Sequence, residues 1–196
     1  NSGFEELQNT DVLVVDGQIT QMGRGLVAPG AEVIEAKGMI LMPGMSDGHR
    51  HVWQSIELGR LVKTHPAQYS TYQDWKMRTV VSMNADEFYL ANLLGGLLAI
   101  DSGVTSILDY AHGQINEETA IASALGLRDS GIAGGYAFQL GVSMSYRPGE
   151  AVDRRRAESE RVSAVAETHW ATVEALQKQV FTDPDHILQL GICPSS

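Results

Sequence analysis

The chain has 196 residues, 43% hydrophobic and 19% charged, ordinary values for a globular protein. That length holds one good core, or one domain with part of a second. A net charge of −10 argues against nucleic acid as the main partner, because phosphate binding needs a basic face.

Other classes fall away as quickly. The one basic cluster, Arg154-Arg155-Arg156, stands beside Glu158 and Glu160 and reads as a solvated helix start. Even the apolar stretch around 90–100 is shorter than a membrane span, so no membrane partner is expected. The first residues, NSGFEELQ, are acidic and lack the pattern of a signal peptide. They also lack an initiator Met, which leaves room for residues upstream. The single cysteine, Cys193, excludes an internal disulfide and suits a reducing compartment, so a cytoplasmic location is expected.

Residues 11–42 read as short strands joined by turns. DVLVV is apolar, Asp16-Gly17 is a hairpin signal, and QITQMG alternates as its partner. Pro29-Gly30 marks another turn, after which AEVIEA and MILM are two further strand candidates. Residues 22–28, MGRGLVA, almost spell a dinucleotide fingerprint. That pattern must open a helix, and here Pro29-Gly30 and another strand candidate follow at once. It is a turn.

Beyond Pro43-Gly44 the period changes. Asn84 and Glu87 resemble a capping box, and the helix they open is expected to turn Phe88, Ala91, Leu94, Leu97 and Leu98 toward a core. It stops at Asp101-Ser102-Gly103, and VTSILDY follows as a buried strand. Asn116 caps the next helix, which ends at Asp129-Ser130-Gly131 before IAGGYAFQL. The same helix–DSG–strand phrase thus recurs, with glycine as the residue just past each helix end. A long helix is expected over roughly 157–180, with Val162, Val165, Val173, Leu176 and Val180 at helical spacing. Asp183-Pro184-Asp185 breaks it, and ILQLGI is a further strand. Such alternation predicts an α/β fold with a parallel sheet and helices outside it. A complete (β/α)8 barrel needs about 250 residues, and 43–196 supply roughly half of that.

The densest chemistry is PGMSDGHRHVWQ, residues 43–54. If 45–52 is extended, side chains alternate, so His49 and His51 point one way and Arg50 the other. Asp47 would share the histidines' face and orient a backbone group or a ligand. Two neutral imidazoles on one side of a strand end suit Zn²⁺ or Fe²⁺. The C-terminal end of a barrel strand is where catalytic groups sit.

At this point the wording resembles a known family. PGMSDGHRHVWQS is similar to the first-strand motif of the amidohydrolase superfamily: Pro-Gly, two apolar residues, Asp, a small residue, His-x-His. DVLVVDGQITQMG resembles its N-terminal β-sandwich, Ala99–Thr105 (AIDSGVT) its ALDAGVT-type phrase, and LRDSGIAGGYAFQLG the entry to its third strand. The HRHVWQ wording is closest to the cytosine deaminase and triazine hydrolase branch, which acts on C–N or C–halogen bonds of nitrogen heterocycles. The resemblance implies a β-sandwich segment over 1–42. Over 43–196 it implies about the first four βα units of a (β/α)8 TIM barrel.

It also implies one divalent ion, Zn²⁺ first and Fe²⁺ second, that lowers the pKa of a water to ~7. The expected reaction releases an amino or similar group from a heterocyclic small molecule. In that branch the His-x-His pair is joined by a His from strand five and an Asp from strand eight. A His from strand six and a Glu beside strand five handle the water and its proton. His49 and His51 carry over; the other positions have no counterpart in these 196 residues. The absence of Lys from ILQLGICPSS, expected as strand four, implies a mononuclear site.

Around the pair, Gln54 and Trp53 are expected to meet the substrate, the amide orienting a ring nitrogen and the indole stacking on a flat ring. His112, after LDYA, is the third expected substrate contact. His169 reads as structural, His65 and His186 as loop residues, and Cys193 as an inert buried thiol. The rival expectation is a catalytically incomplete piece that associates through open sheet edges. A homo-oligomer is expected on the same ground.

Overall fold

The computed structural model describes residues 6–58, 76, 78–140 and 167–194. By backbone contacts the chain divides into two compact units, Asn1–Met42 and Pro43–Ser196. The expected positions His65, Arg154–Arg156, Val162 and Val165 lie outside the described residues.

In the first unit, β1 (Asp11–Val15) pairs antiparallel with β2 (Gln18–Gly23). Asp16 and Gly17 both have positive φ, the backbone of a primed hairpin turn that matches strand twist. The Asp11 carboxylate accepts the N–H groups of Gly25 (2.7 Å) and Leu26 (3.1 Å), tying the chain back onto β1 after the hairpin. The expected strands AEVIEA and MILM do not form. Val33, Ile34 and Met39–Met42 are exposed, Ile40 at 87%. β-propensity there is real, but a strand needs a ladder partner and a packed face, and the described residues of this unit offer neither.

The second unit is built on a four-stranded parallel sheet in the order β3 (Met45–Arg50), β4 (Val104–Ala111), β5 (Ala133–Leu140), β6 (Leu188–Pro194). Between the strands run a short 3-10 segment (Val52–Glu57) and helices α1 (Ala85–Asp101), α2 (Glu117–Asp129) and α3 (Glu167–Gln179). Both expected caps form. Asn84 and Glu87 exchange side-chain and backbone bonds at 2.8 and 2.9 Å, and Asn116 does the same with Thr119. Each satisfies amide groups that the first turn would otherwise leave bare.

One face of the sheet is covered by helices. Ile107, Ala111, Tyr136, Phe138, Leu140 and Leu188 form a core there with Ala120, Ala124 and Leu127 of α2 and Leu176 of α3. The orientation of α1 departs from expectation. Phe88 and Ala91 are buried, but Leu94, Leu97 and Leu98 are exposed, and the rest of the buried stripe is Asn92, Gly95, Gly96 and Ala99. The reason is close approach. A Cβ on Gly95 would fall 2.9 Å from the Val52 carbonyl oxygen, and one on Gly96 would collide with Ser130. Small residues let α1 lie against the segment after β3 and against α2, so they form the buried face. Large side chains would hold the elements apart.

Candidate metal centre

The site grows from a fault in the ladder between β3 and β4. Asp47 pairs with Ile107 and Arg50 with Asp109, so three steps on β3 face two on β4. Partners across a parallel ladder share a face, and Ile107 and Asp109 point to the helices. Asp47 and Arg50 therefore fall on that side, ion-paired at 3.7 Å. His49 and His51 fall on the other. The histidines are thus paired as expected and Arg50 opposes them, but Asp47 does not share their face. Its carboxylate instead accepts the His49 N–H at 3.2 Å.

The ring centroids of His49 and His51 are 4.9 Å apart with planes at 78°. A ligand nitrogen's lone pair lies in its ring plane, so planes that cross near both rings can share an ion at about 2.0–2.1 Å from each nitrogen. Nδ1 of His51 lies 2.8 Å from the Tyr110 carbonyl oxygen. A carbonyl only accepts, so Nδ1 carries the proton and Nε2 keeps its lone pair for a metal. Burial, the largest influence, pulls the His51 pKa below its usual value, which favours the neutral, ligating form.

Two imidazoles in this arrangement fit part of a Zn²⁺ or Fe²⁺ donor set. Among the described residues no group of three or more His, Cys, Asp or Glu side chains is arranged to hold an ion. Zinc sites take three or four protein ligands.

The other expected contacts gather close by. His112 stacks on His51, centroids 3.8 Å apart and planes 23° apart. Burial first, then His51 and Lys76, push its pKa down to about 2, so the ring is neutral. Trp53 is fully buried, leans on Phe88, and donates from Nε1 to Nδ1 of His112 at 3.2 Å. With no exposed face, the indole is not available to stack on a ligand. Gln54 is half-buried in the same 3-10 segment, which its N–H closes on the His51 carbonyl at 3.1 Å.

Three neighbours are new. Tyr110 has its ring 5.2 Å from His49 and 5.7 Å from His51, and its hydroxyl donates to the Pro194 carbonyl at 2.8 Å. Asp109 is fully buried and accepts the Val52 N–H at 3.0 Å, which fixes the chain just after His51. Its second oxygen has no hydrogen-bond partner, and burial raises its pKa to about 7. Lys76 acts on both His51 and His112. An acid inside the apolar strand VTSILDYA was a readable signal for Asp109; nothing local marks Lys76.

Elsewhere, His169 is buried on α3 beside Phe138, and His186 accepts the Leu188 N–H through Nδ1 in the loop before β6. The Cys193 thiol donates to the Ala137 carbonyl, and burial lifts its pKa to about 11, far from a thiolate at neutral pH. β6 carries no lysine, and Lys178 sits on α3 in an exposed pair with Glu174. No helix among the described residues is long and apolar enough to cross a membrane.

A parallel βα sheet with a His-x-His pair where its first strand ends agrees with the fold that the sequence resemblance implies. Comparison with known proteins bears on the same point. No family model matches. A 5'-deoxyadenosine deaminase of Methanosarcina acetivorans is 30% identical over 125 residues, 64% of this chain and 28% of that protein. A 5-methylthioadenosine/S-adenosylhomocysteine deaminase of Pyrococcus furiosus is 32% identical over 120 residues, 61% and 28% of the two chains. The chain therefore spans little more than a quarter of these curated relatives. Among solved structures, a mutant atrazine chlorohydrolase of Arthrobacter aurescens, crystallised with zinc and atraton, superposes with a TM-score of 0.73 at 16% identity. That match covers 99% of this chain and 44% of the other. A guanine deaminase of C. acetobutylicum gives 0.63 at 21% identity over 93% and 40%. Together these matches agree with the resemblance to the amidohydrolase superfamily that the sequence carries.

Proposed function

We propose that the protein is a metal-dependent hydrolase that removes an amino or similar group from a nitrogen heterocycle. The observation that carries this is the crossing of the His49 and His51 ring planes at the C-terminal end of the first strand of a parallel βα sheet. The relatives named as deaminases, and the zinc in structures of the same fold, support it. On this reading 1–42 is a β-sandwich segment, and 43–196 holds the first four βα units of an eight-stranded barrel. The remaining metal ligands come from residues beyond those described.

His49 and His51 would hold one Zn²⁺, with Fe²⁺ the second choice. When bound, the ion supplies Lewis acidity and activates water at neutral pH. The chain's own residues prepare the ground. The Tyr110 carbonyl fixes the His51 tautomer, Asp109 fixes the backbone behind it, and Gln54 and His112 stand where a substrate would meet the pair. In the overall reaction a C–O bond forms, a C–N bond breaks, and ammonia or an amine leaves. The lack of lysine on β6 supports a mononuclear centre. The open edges of β3 and β6 in the described sheet support association between copies, so we propose a homo-oligomer as well.

Elemental analysis and ammonia release, on the same purified protein, test the reading. Expected are one Zn²⁺ or Fe²⁺ per chain, lost in His51→Ala, and turnover of at least one amino-substituted purine, pyrimidine or triazine. A protein without metal and without turnover overturns it; two ions per chain overturn the mononuclear centre.

A further inference from the structure

The third histidine of the cluster has a role of its own. Resting on the function proposed above, we infer that His112 serves the site as a fixed hydrogen-bond donor through Nε2 and is not a metal ligand, with Trp53 as the residue that sets it. The acceptor it suits is a lone pair on a ligand: a ring nitrogen or a carbonyl oxygen of a heterocycle.

Two independent observations lead there. The first is the pairing with Trp53. An indole N–H can only donate, so the atom it reaches, Nδ1 of His112 at 3.2 Å, must offer a lone pair. In a neutral imidazole the proton then sits on Nε2, and the ring presents N–H rather than a free lone pair. Nδ1 is already engaged. This is the opposite tautomer to that of His51, whose Nδ1 meets a carbonyl and whose Nε2 is the lone-pair nitrogen.

The second observation is the angle between rings. His112 and His51 lie nearly face to face, 3.8 Å apart with planes 23° from parallel. In-plane lone pairs of stacked rings do not meet at one point within coordination distance of both. The His49–His51 pair, at 78°, is free of that restriction. Geometry thus separates three adjacent histidines into two ligands and one donor.

The surroundings hold the donor in place. Trp53 is fully buried and packs on Phe88, so its N–H cannot swing away. A Cβ on Gly113 would come within 3.3 Å of the indole Nε1, so the chain passes directly over it after His112. Trp53 is a positioning residue here. Its work reaches the ligand only through the imidazole.

Long-range ¹H–¹⁵N spectroscopy of the Zn²⁺-loaded protein reads this without turnover. Expected are a pyridine-type Nδ1 and a protonated Nε2 on His112, unchanged when Zn²⁺ is added, while His49 and His51 shift on binding. In Trp53→Phe the His112 signals should move toward a mixture of the two tautomers. In His112→Gln, which keeps a side-chain N–H, Zn²⁺ content should match the parent. Adenosine and guanine serve as turnover probes: His112→Leu should lose at least tenfold more kcat/KM than His112→Gln on whichever is deaminated. A proton on Nδ1, a Zn²⁺-induced shift of His112, or Zn²⁺ lost from both His112 variants overturns the inference. Deamination of no heterocycle would defeat the proposed function and leave the tautomer and metal readouts decisive for His112.

Discussion

The two faces of the parallel sheet use the same strands for opposite ends. Toward the helices, Ile107, Ala111, Tyr136 and Leu188 make a close-packed layer, and the polar atoms admitted there are largely tied down. Tyr136, for instance, donates to the Ala120 carbonyl at 3.1 Å. On the other face stand His49, His51, Tyr110 and His112, with Leu108 44% exposed beside them. Alternation along β4 alone sends Asp109 to one side and Tyr110 to the other. A strand can therefore spend its odd residues on stability and its even ones on chemistry, and mutations should divide in the same way.

The largest expected effect is in the second packed cluster, where α1 meets Trp53. Phe88→Ala, which empties a fully buried site beside Trp53, should cost about 3–5 kcal/mol in denaturant unfolding. Next comes Asp109, which lies on the helix side and holds the chain just after His51 through the Val52 N–H. Its pKa is raised by burial from 3.8 to about 7, so the folded state holds its proton more tightly than the unfolded chain. The stability this gives is full below pH ~4 and is lost as pH rises through ~7. At 1.36 kcal/mol per pKa unit the loss approaches ~4 kcal/mol. Asp109→Asn should flatten the pH–stability curve over that range and leave the variant the more stable of the two at pH 8.

Gly95→Ala tests the joint between the faces. Its methyl would press on Val52, and overpacking of this kind should cost about 1–3 kcal/mol. The same change should weaken Zn²⁺ binding, because Val52 follows His51 directly. His49→Ala should do the reverse of Phe88→Ala: stability within about 0.5 kcal/mol of the parent, as for other exposed positions, but metal lost. Smallest is Lys178→Ala, which removes a solvent-exposed pair with Glu174 and should stay within about 0.5 kcal/mol. An equal loss of stability in His49→Ala and Phe88→Ala would break the division of labour.

What could be read from the residues follows the range of the forces involved. Caps at Asn84 and Asn116, glycines at the helix ends and the His-x-His strand end depend on neighbours a few residues away, and all are present. The buried face of α1 depends on how near another element comes, so hydrophobicity pointed to Leu94 and Leu97 while close approach selected Gly95 and Gly96. AEVIEA and MILM have the composition of strands but lack a partner to pair with in their unit. Asp47 was misplaced because a ladder fault is invisible without the opposing strand. Trp53 follows the histidines in the chain, yet its burial and its bond to His112 come from tertiary packing.

That ladder fault works as a phase shifter. At its start β3 is in step with the core, with Asp47 level with Ile107; one surplus residue later it is in step with the cavity. Were 47–51 paired without that surplus residue being taken up, strict alternation from Asp47 would turn His49 and His51 in among the helices and bring Arg50 to the cavity side. The same residues in an unbroken register would leave the protein a sound sheet and nowhere to put an ion.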